Sequence, residues 1–254
     1  GLLGFIGSGK GTAGDMLKDM GFTPVSFAKG VKDVTAEMFG WPRHLLEGDT
    51  QHSREWREKP DNFWSSEFGK EFTPRFALQL MGTEVGRDVF HKDFWVIKLK
   101  NYIDNAPEQN FVITDVRFQN EISFINKHSG TLIEIKRGIT PHWYEIAAKA
   151  NRGDPHAEIW MQQRSGVHES EWKWVGGDID HTIDNVGSLE DLKKKLKNIN
   201  SLLNEISVLA KLDHPNIIKL YEYFIDDENI YIITEICRGG ELFDRIVEHE
   251  FFSE

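Results

Sequence analysis

Gly4-Phe-Ile-Gly7-Ser8-Gly9-Lys10-Gly11-Thr12 is the stretch that decides how the rest of this chain reads. It has the G-x-x-x-x-G-K spacing, grows out of the apolar run Leu2 to Ile6, and leads into a helical pattern from Lys10 to Met20. Glycines at these places let successive backbone N–H groups turn inward around phosphate oxygens. Lys10 adds a compact positive charge for the terminal phosphates, and the helix aims its positive end at the same anion. A glycine pattern alone would be a strand-to-helix turn. Strand, loop, lysine and helix together predict a P-loop holding a nucleoside triphosphate. Gly7, Ser8, Gly9, Lys10, Gly11 and Thr12 are its candidate phosphate-binding residues. Gly11 stands where the common pattern has a magnesium-binding hydroxyl. Thr12 follows one place later, so direct coordination by Thr12 and a water-mediated Mg2+ are both open.

Outward from the loop, strand and helix patterns alternate. Pro24 to Phe27, Phe111 to Thr114, Thr131 to Ile135 and Thr182-Ile183 read as strands. Ala28 to Phe39 carries Val31, Val34 and Met38 at helical spacing, Thr73-Pro74 opens a helix running towards Met81, and Phe94 to Ile103 is another. Ser188-Leu-Glu-Asp191 reads as a capping box opening a helix to Lys197. This order predicts an α/β fold, a parallel sheet flanked by helices, with ligands at the carboxyl ends of the strands. Residues 138–180, rich in tryptophan and charge, read as a partly helical lid over the site.

Asp115 ends an apolar strand, where a carboxylate faces the ligand edge; it is a candidate Mg2+ or phosphate-orienting group, with a turn or cap as the alternative. Glu84 and Arg87 either position a substrate or form a structural ion pair. His168-Glu-Ser-Glu171 fits a capped helix start better than a metal or acid–base site. Phe39, Trp41, Trp64 and Phe76 have spacings that suit the core, with base stacking as the alternative.

Hydrophobic residues make up 39% of the 254 and charged residues 28%, the balance of a folded chain and not a disordered one. The net charge of −11 argues against nucleic-acid binding. No apolar run is long enough to span a bilayer, and no signal peptide is visible. Gly1 stands where an initiator Met would, so a preceding residue or segment is an expectation. The single cysteine, Cys237, excludes an internal disulfide and suits a cytoplasmic location. A homodimer is left open. Charge is unevenly spread: residues 200–254 hold four Lys and Arg against twelve Asp and Glu, a net of −8, and all eight tryptophans precede residue 175. Two segments of different character meet near residue 199.

Residues 1–199 resemble the deoxynucleoside monophosphate kinases of bacteriophages. The resemblance rests on the Gly11-Thr12 loop ending, Arg75-Phe-Ala-Leu-Gln-Leu-Met-Gly-Thr-Glu84, Ile113-Thr-Asp115-Val-Arg117 and Asp184-Asn-Val-Gly-Ser-Leu-Glu190. It implies ATP, Mg2+ and a nucleoside monophosphate acceptor, with either Arg75 or Arg117 gripping the acceptor phosphate. It also implies that one or more of Arg137, Arg152 and Arg164 neutralises the transferring phosphoryl group from the lid. Rival readings are another small-molecule P-loop kinase, such as one acting on dephospho-coenzyme A, or an ATP-binding module without turnover.

Residues 200–254 resemble a different family, the calcium-dependent protein kinases. Leu202-Leu-Asn-Glu205-Ile-Ser-Val-Leu, His214-Pro-Asn-Ile-Ile218, Ile230-Tyr-Ile-Ile-Thr234-Glu-Ile-Cys237 and Gly239-Gly-Glu-Leu-Phe-Asp244 follow in that family's order. They would supply a C-helix with Glu205, two strands (with exposed edges on Ile217 to Leu220 and Ile230 to Ile233), the gatekeeper Thr234, the hinge and the next helix. No second Gly-rich loop with a strand lysine precedes Glu205, and no H-R-D or D-F-G element follows. The expectation is a chimera whose upper-lobe fragment has no protein-kinase activity.

Overall fold

The computed structural model describes residues 1–164, 166–225 and 230–238. In chain order, β1 (Leu2–Leu3) leads through the glycine loop into α1 (Lys10–Asp19), then β2 (Thr23–Val25) and α2 (Ala28–Phe39). A 3-10 turn at Arg43–Leu46 precedes α3 (Gln51–Glu58), α4 (Asn62–Phe68) and α5 (Pro74–Leu80). Next come α6 (Phe94–Asp104), β3 (Phe111–Ile113), α7 (Gln119–Lys127), β4 (Ile133–Lys136), α8 (Tyr144–Asn151), α9 (Pro155–Gln162), α10 (Glu169–Trp172) and β5 (His181–Asp184). The described chain ends with α11 (Leu189–Lys211), β6 (Leu220–Ile225) and β7 (Ile230–Thr234). It divides into two units, Gly1–Leu196 and Lys197–Glu254.

In the first unit the strands are parallel, as the alternating pattern predicts. β1, β4 and β5 form one sheet in that order, and β2 and β3 pair beside it. The Val116 N–H, just past β3, donates to the Leu2 carbonyl at 3.2 Å, which brings the β3 end alongside β1. β1 is two residues long where five were expected, because Gly4 at φ +136° leaves the extended region and starts the loop. The Thr73 hydroxyl accepts from the Phe76 N–H at 3.1 Å, capping α5 as its Thr-Pro start predicts. After Leu80 the helix widens to a π-helical winding over Met81–Phe90.

Residues 138–180 are partly helical, as the sequence reading has them, but much of the stretch packs inward. They hold α8, α9 and α10, and Trp143, Trp172 and Trp174 are buried in the main core. Phe5 packs against Trp143 and Trp174, with ring centroids 5.6 and 5.0 Å away. Indole rings carry so much apolar area that packing them inside outweighs keeping them on a cover. A second aromatic cluster holds Trp41 and Phe72 with Phe39 and Trp64 against them, so these rings are structural; Phe76 packs edge-on to Phe72.

Two further boundaries moved. The Ser188 hydroxyl accepts from the Asp191 N–H and the Asp191 carboxylate from the Ser188 N–H, which is the expected box. The helix it opens, however, runs on to Lys211, not Lys197. Within the second unit, β6 begins at Leu220, and Ile217 lies in a turn whose N–H donates to the His214 carbonyl. β6 and β7 pair antiparallel, Glu205 is exposed on α11, and Thr234 ends β7. The Gly239 to Asp244 segment and the helix expected there lie outside the described residues. Among the described residues no helix is long and apolar enough to cross a membrane.

Candidate functional site

The glycine loop folds into a closed turn. The Ser8 N–H donates to the Phe5 carbonyl at 3.2 Å, and the Asn185 side-chain amide, just past β5, donates to the Ser8 carbonyl at 2.8 Å. Gly9 takes φ +105° at the α1 N-cap, and a Cβ there would sit 2.4 Å from Asn185 Nδ2, so only glycine fits. No side chain caps α1 and its first turn holds no acid, which leaves the helix's positive end free of competing carboxylates. The Lys10 ammonium reaches back to the Gly4 and Phe5 carbonyls. Burial and then Arg117 lower its pKa to about 8, against opposing pulls from Glu171 and Asp115. The Ser8 hydroxyl is buried without a hydrogen-bond partner.

A cleft of about 600 Å³ opens from Ile6, Gly7 and Lys10 along α2, α3, α5, the π-helical stretch and the turn after β3. Arg57 on α3, Arg75 on α5, and Asp115 and Arg117 after β3 line it as well. Arg75 pairs with Glu58 at 3.2 Å, and Arg117 lies 3.7 Å from Glu171 and donates to the Ser170 hydroxyl at 3.4 Å. His168 caps α10 by accepting the Ser170 N–H, the structural role expected, and it too borders the cleft. Val31, Leu78, Trp95 and Phe118 supply an apolar stretch of wall, with Gln79 and Thr83 as its polar edge.

Asp115 satisfies the cap alternative while facing the cleft. Its Oδ2 accepts from the Ser26 hydroxyl at 2.7 Å and the Ala28 N–H at 2.9 Å, and Oδ1 from the Phe27 N–H at 2.9 Å. It therefore pins the start of α2. Three donors on a carboxylate with roughly four acceptor sites leave about one lone pair for a ligand. Thr12 is exposed and outside the cleft lining, as is Gly11. Thr12 thus sits on the outer side of the first turn of α1, away from the cleft that Asp115 lines. Among the described residues no group of three or more His, Cys, Asp or Glu could hold a metal ion.

None of the three arginines assigned to the lid lines the cleft. Arg137 and Arg152 are exposed; Arg164 stacks 4.9 Å from Trp160 and contacts His142 Nε2 at 2.7 Å. Arg152 and Arg164 belong to a stretch much of which packs into the core, and neither is among the cleft-lining residues. Arg87 settles as an ion pair, 2.9 Å from Glu121, while Glu84 is exposed.

Arg57 was missed in the sequence. It sits between Arg54, Arg75 and Arg117, its Nε buried without a partner and its one hydrogen bond a long 3.5 Å reach to the Leu46 carbonyl. Burial and then the charge of Arg75 push the guanidinium below its ordinary range, with Arg117 and Arg54 adding and Glu58 opposing. Gly48 makes room for it, since a Cβ there would lie 1.9 Å from Arg57 Nη2. A desolvated cation beside other cations is costly without an anionic partner; Glu58 and Glu171 pair with its neighbours Arg75 and Arg117. Only its helical spacing from Arg54 hints at this in the sequence.

A profile described as deoxynucleotide monophosphate kinase matches residues 49–143, which hold Arg57, Arg75, Asp115 and Arg117. A putative deoxynucleotide monophosphate kinase of Acanthamoeba polyphaga mimivirus is 37% identical over 149 residues, 54% of this chain and 72% of that protein. The chain belongs to the deoxynucleotide monophosphate kinase family. A second profile, protein kinase domain, matches residues 187–254. Calcium-dependent protein kinase 5 of Plasmodium berghei is 55% identical over 62 residues, 24% of this chain. The chain spans only 11% of that kinase's length. Calcium/calmodulin-dependent protein kinase type 1 of Macrobrachium nipponense is 54% identical over 63 residues, 18% of its own length. The deoxynucleotide monophosphate kinase match and the cleft therefore coincide in the first unit, and the protein-kinase match begins at the start of α11.

Proposed function

We propose that the first unit transfers the terminal phosphoryl group of ATP to a deoxynucleoside monophosphate. An acceptor phosphate oxygen attacks the γ-phosphorus, the bond to the β-phosphate oxygen breaks, and ADP and a deoxynucleoside diphosphate leave. The observation that carries this reading is one cleft lined together by Lys10, at the uncapped start of α1, and by Arg57, Arg75 and Arg117. In this reading the glycine loop is a P-loop: Lys10 and the α1 amides hold the β- and γ-phosphates. Arg57 and Arg75 seat the acceptor phosphate, and Arg117 lies between the two anions. Such a cluster overcomes the mutual repulsion of donor and acceptor, and it needs no general base because the acceptor is already anionic. The base rests against Val31, Leu78, Trp95 and Phe118. Bound Mg2+ would shield the triphosphate charge, with the spare Asp115 lone pair as its protein contact, directly or through water.

The test is a panel of nucleoside and deoxynucleoside monophosphates with ATP and Mg2+, read as ADP release. Turnover on one or more deoxynucleoside monophosphates is expected. A panel that stays inert while dephospho-coenzyme A turns over would move the enzyme to another acceptor class.

A further inference from the structure

Glu121 is a carboxylate that the phosphoryl chemistry does not require. It stands in the first turn of α7, 1% exposed, with both oxygens occupied. Oε1 accepts from Arg87 Nη2 at 2.9 Å, and Oε2 accepts from the Arg117 N–H at 2.7 Å and the Phe118 N–H at 3.2 Å. A solvent-facing Glu at this helix position would satisfy the same amides. Nor is a buried ion pair a good source of stability, since desolvation offsets its attraction. Burial here pushes the Glu121 carboxyl up to about 7, with Arg87 opposing the shift and Asp115 adding to it.

What burial adds is geometry. The π-helical stretch arrives through Arg87, the turn after β3 through the Arg117 and Phe118 amides, and α7 through Glu121 itself. All three meet on one carboxylate. The Arg87 guanidinium also lies 3.8 Å over the Phe118 ring, so the cleft wall and the turn are clamped together. Arg117, whose amide is held in this way, sends its side chain into the cleft beside Ser170 and Glu171.

We propose that Glu121 is a positioning residue: its carboxylate locks the Arg117 backbone and the Arg87 side chain, so that Arg117 meets the reacting phosphates in a single orientation. This rests on the phosphoryl-transfer reading above. Glu121→Gln keeps the shape, but its one oxygen cannot serve both the amides and Arg87, and its NH2 meets a donor.

The test is a double-mutant cycle on the full chain with ATP, Mg2+ and the best acceptor of the panel. It compares Glu121→Gln, Arg117→Ala and the double variant by kcat, by KM for each substrate and by thermal midpoint. Glu121→Gln is expected to lower kcat by about tenfold to a hundredfold, the cost of a slightly misplaced catalytic group. The KM for ATP should stay within about twofold, and the substitution should add less than about twofold once Arg117 is gone. Equal losses with and without Arg117, or an unchanged kcat, would overturn the role. If Glu121→Gln does not fold, Arg87→Gln removes the same ion pair and goes through the same cycle under the same criteria. Absent turnover in the unmutated chain overturns the proposed function and this role together; intact turnover with additive losses overturns this role alone.

Discussion

Trp172 and Tyr223 are both aromatic residues in regular elements, yet one is 1% exposed and the other 42%. Trp172 belongs to a unit whose parallel strands are covered by helices, so that β4 buries Ile133, Glu134 and Ile135 in succession. Tyr223 belongs to a hairpin, β6 with β7, on which Tyr221, Tyr231, Ile232 and Ile233 are exposed as well. Among the described residues β6 pairs with β7, and two strands by themselves have too little area to close a core. The same chain thus carries one unit that completes a core and builds a cleft on it, and another that holds elements of a larger lobe. Function follows closure: a cleft can aim arginines only where the elements bearing them are fixed.

Truncation gives the sharpest contrast between the units. Trp172→Ala should cost about 4 kcal/mol of stability, as large aromatic truncations in cores do. Tyr223→Ala should change the same transition by less than about 0.5 kcal/mol. Tryptophan fluorescence during thermal unfolding reports the first unit cleanly, since all eight indoles precede residue 175. Comparable shifts for the two variants would erase the distinction.

Arg57→Ala should come next, raising the acceptor KM by about tenfold or more, the worth of a charge-assisted hydrogen bond, while the KM for ATP barely moves. Steady-state kinetics with each substrate varied in turn separates the two. A smaller effect follows from Lys10. With its pKa lowered to about 8, the amine is charged below that pH and loses its proton above it. ATP affinity should therefore hold from pH 6 to about 8 and weaken by up to tenfold by about pH 9, one unit above the pKa. Lys10→Arg should flatten that limb in a binding titration. The smallest effect belongs to the other unit: removing residues 200–254 should leave kcat within about twofold, an ordinary allowance for distant changes.

The glycine loop was legible because its information is local: spacing, a preceding apolar run and a following helix all lie within about twenty residues. The starts of α5 and α11 were legible for the same reason, through Thr73-Pro74 and Ser188 with Asp191. Arg57, Asn185 and Glu121 were not, because each acquires its role from partners far away in the chain: Arg117 near Arg57, Ser8 beside Asn185, Arg87 beside Glu121. The tryptophans of 138–180 misled because their neighbours are charged, and composition does not tell which face of a short helix turns inward. α11 runs past the family join, with Leu192, Leu196, Ile199, Leu203 and Ile206 at helical spacing on both sides of it.

The central claim is that the cleft of the first unit moves a phosphoryl group and that Lys10 is indispensable to it. The direct measurement is ADP release from ATP and Mg2+ across the deoxynucleoside monophosphate panel, for the unmutated chain and for Lys10→Ala side by side. The account predicts turnover in the first and a loss of about a thousandfold in the second, at the upper end for one preorganised donor. Turnover that survives in Lys10→Ala at the unmutated rate would contradict it.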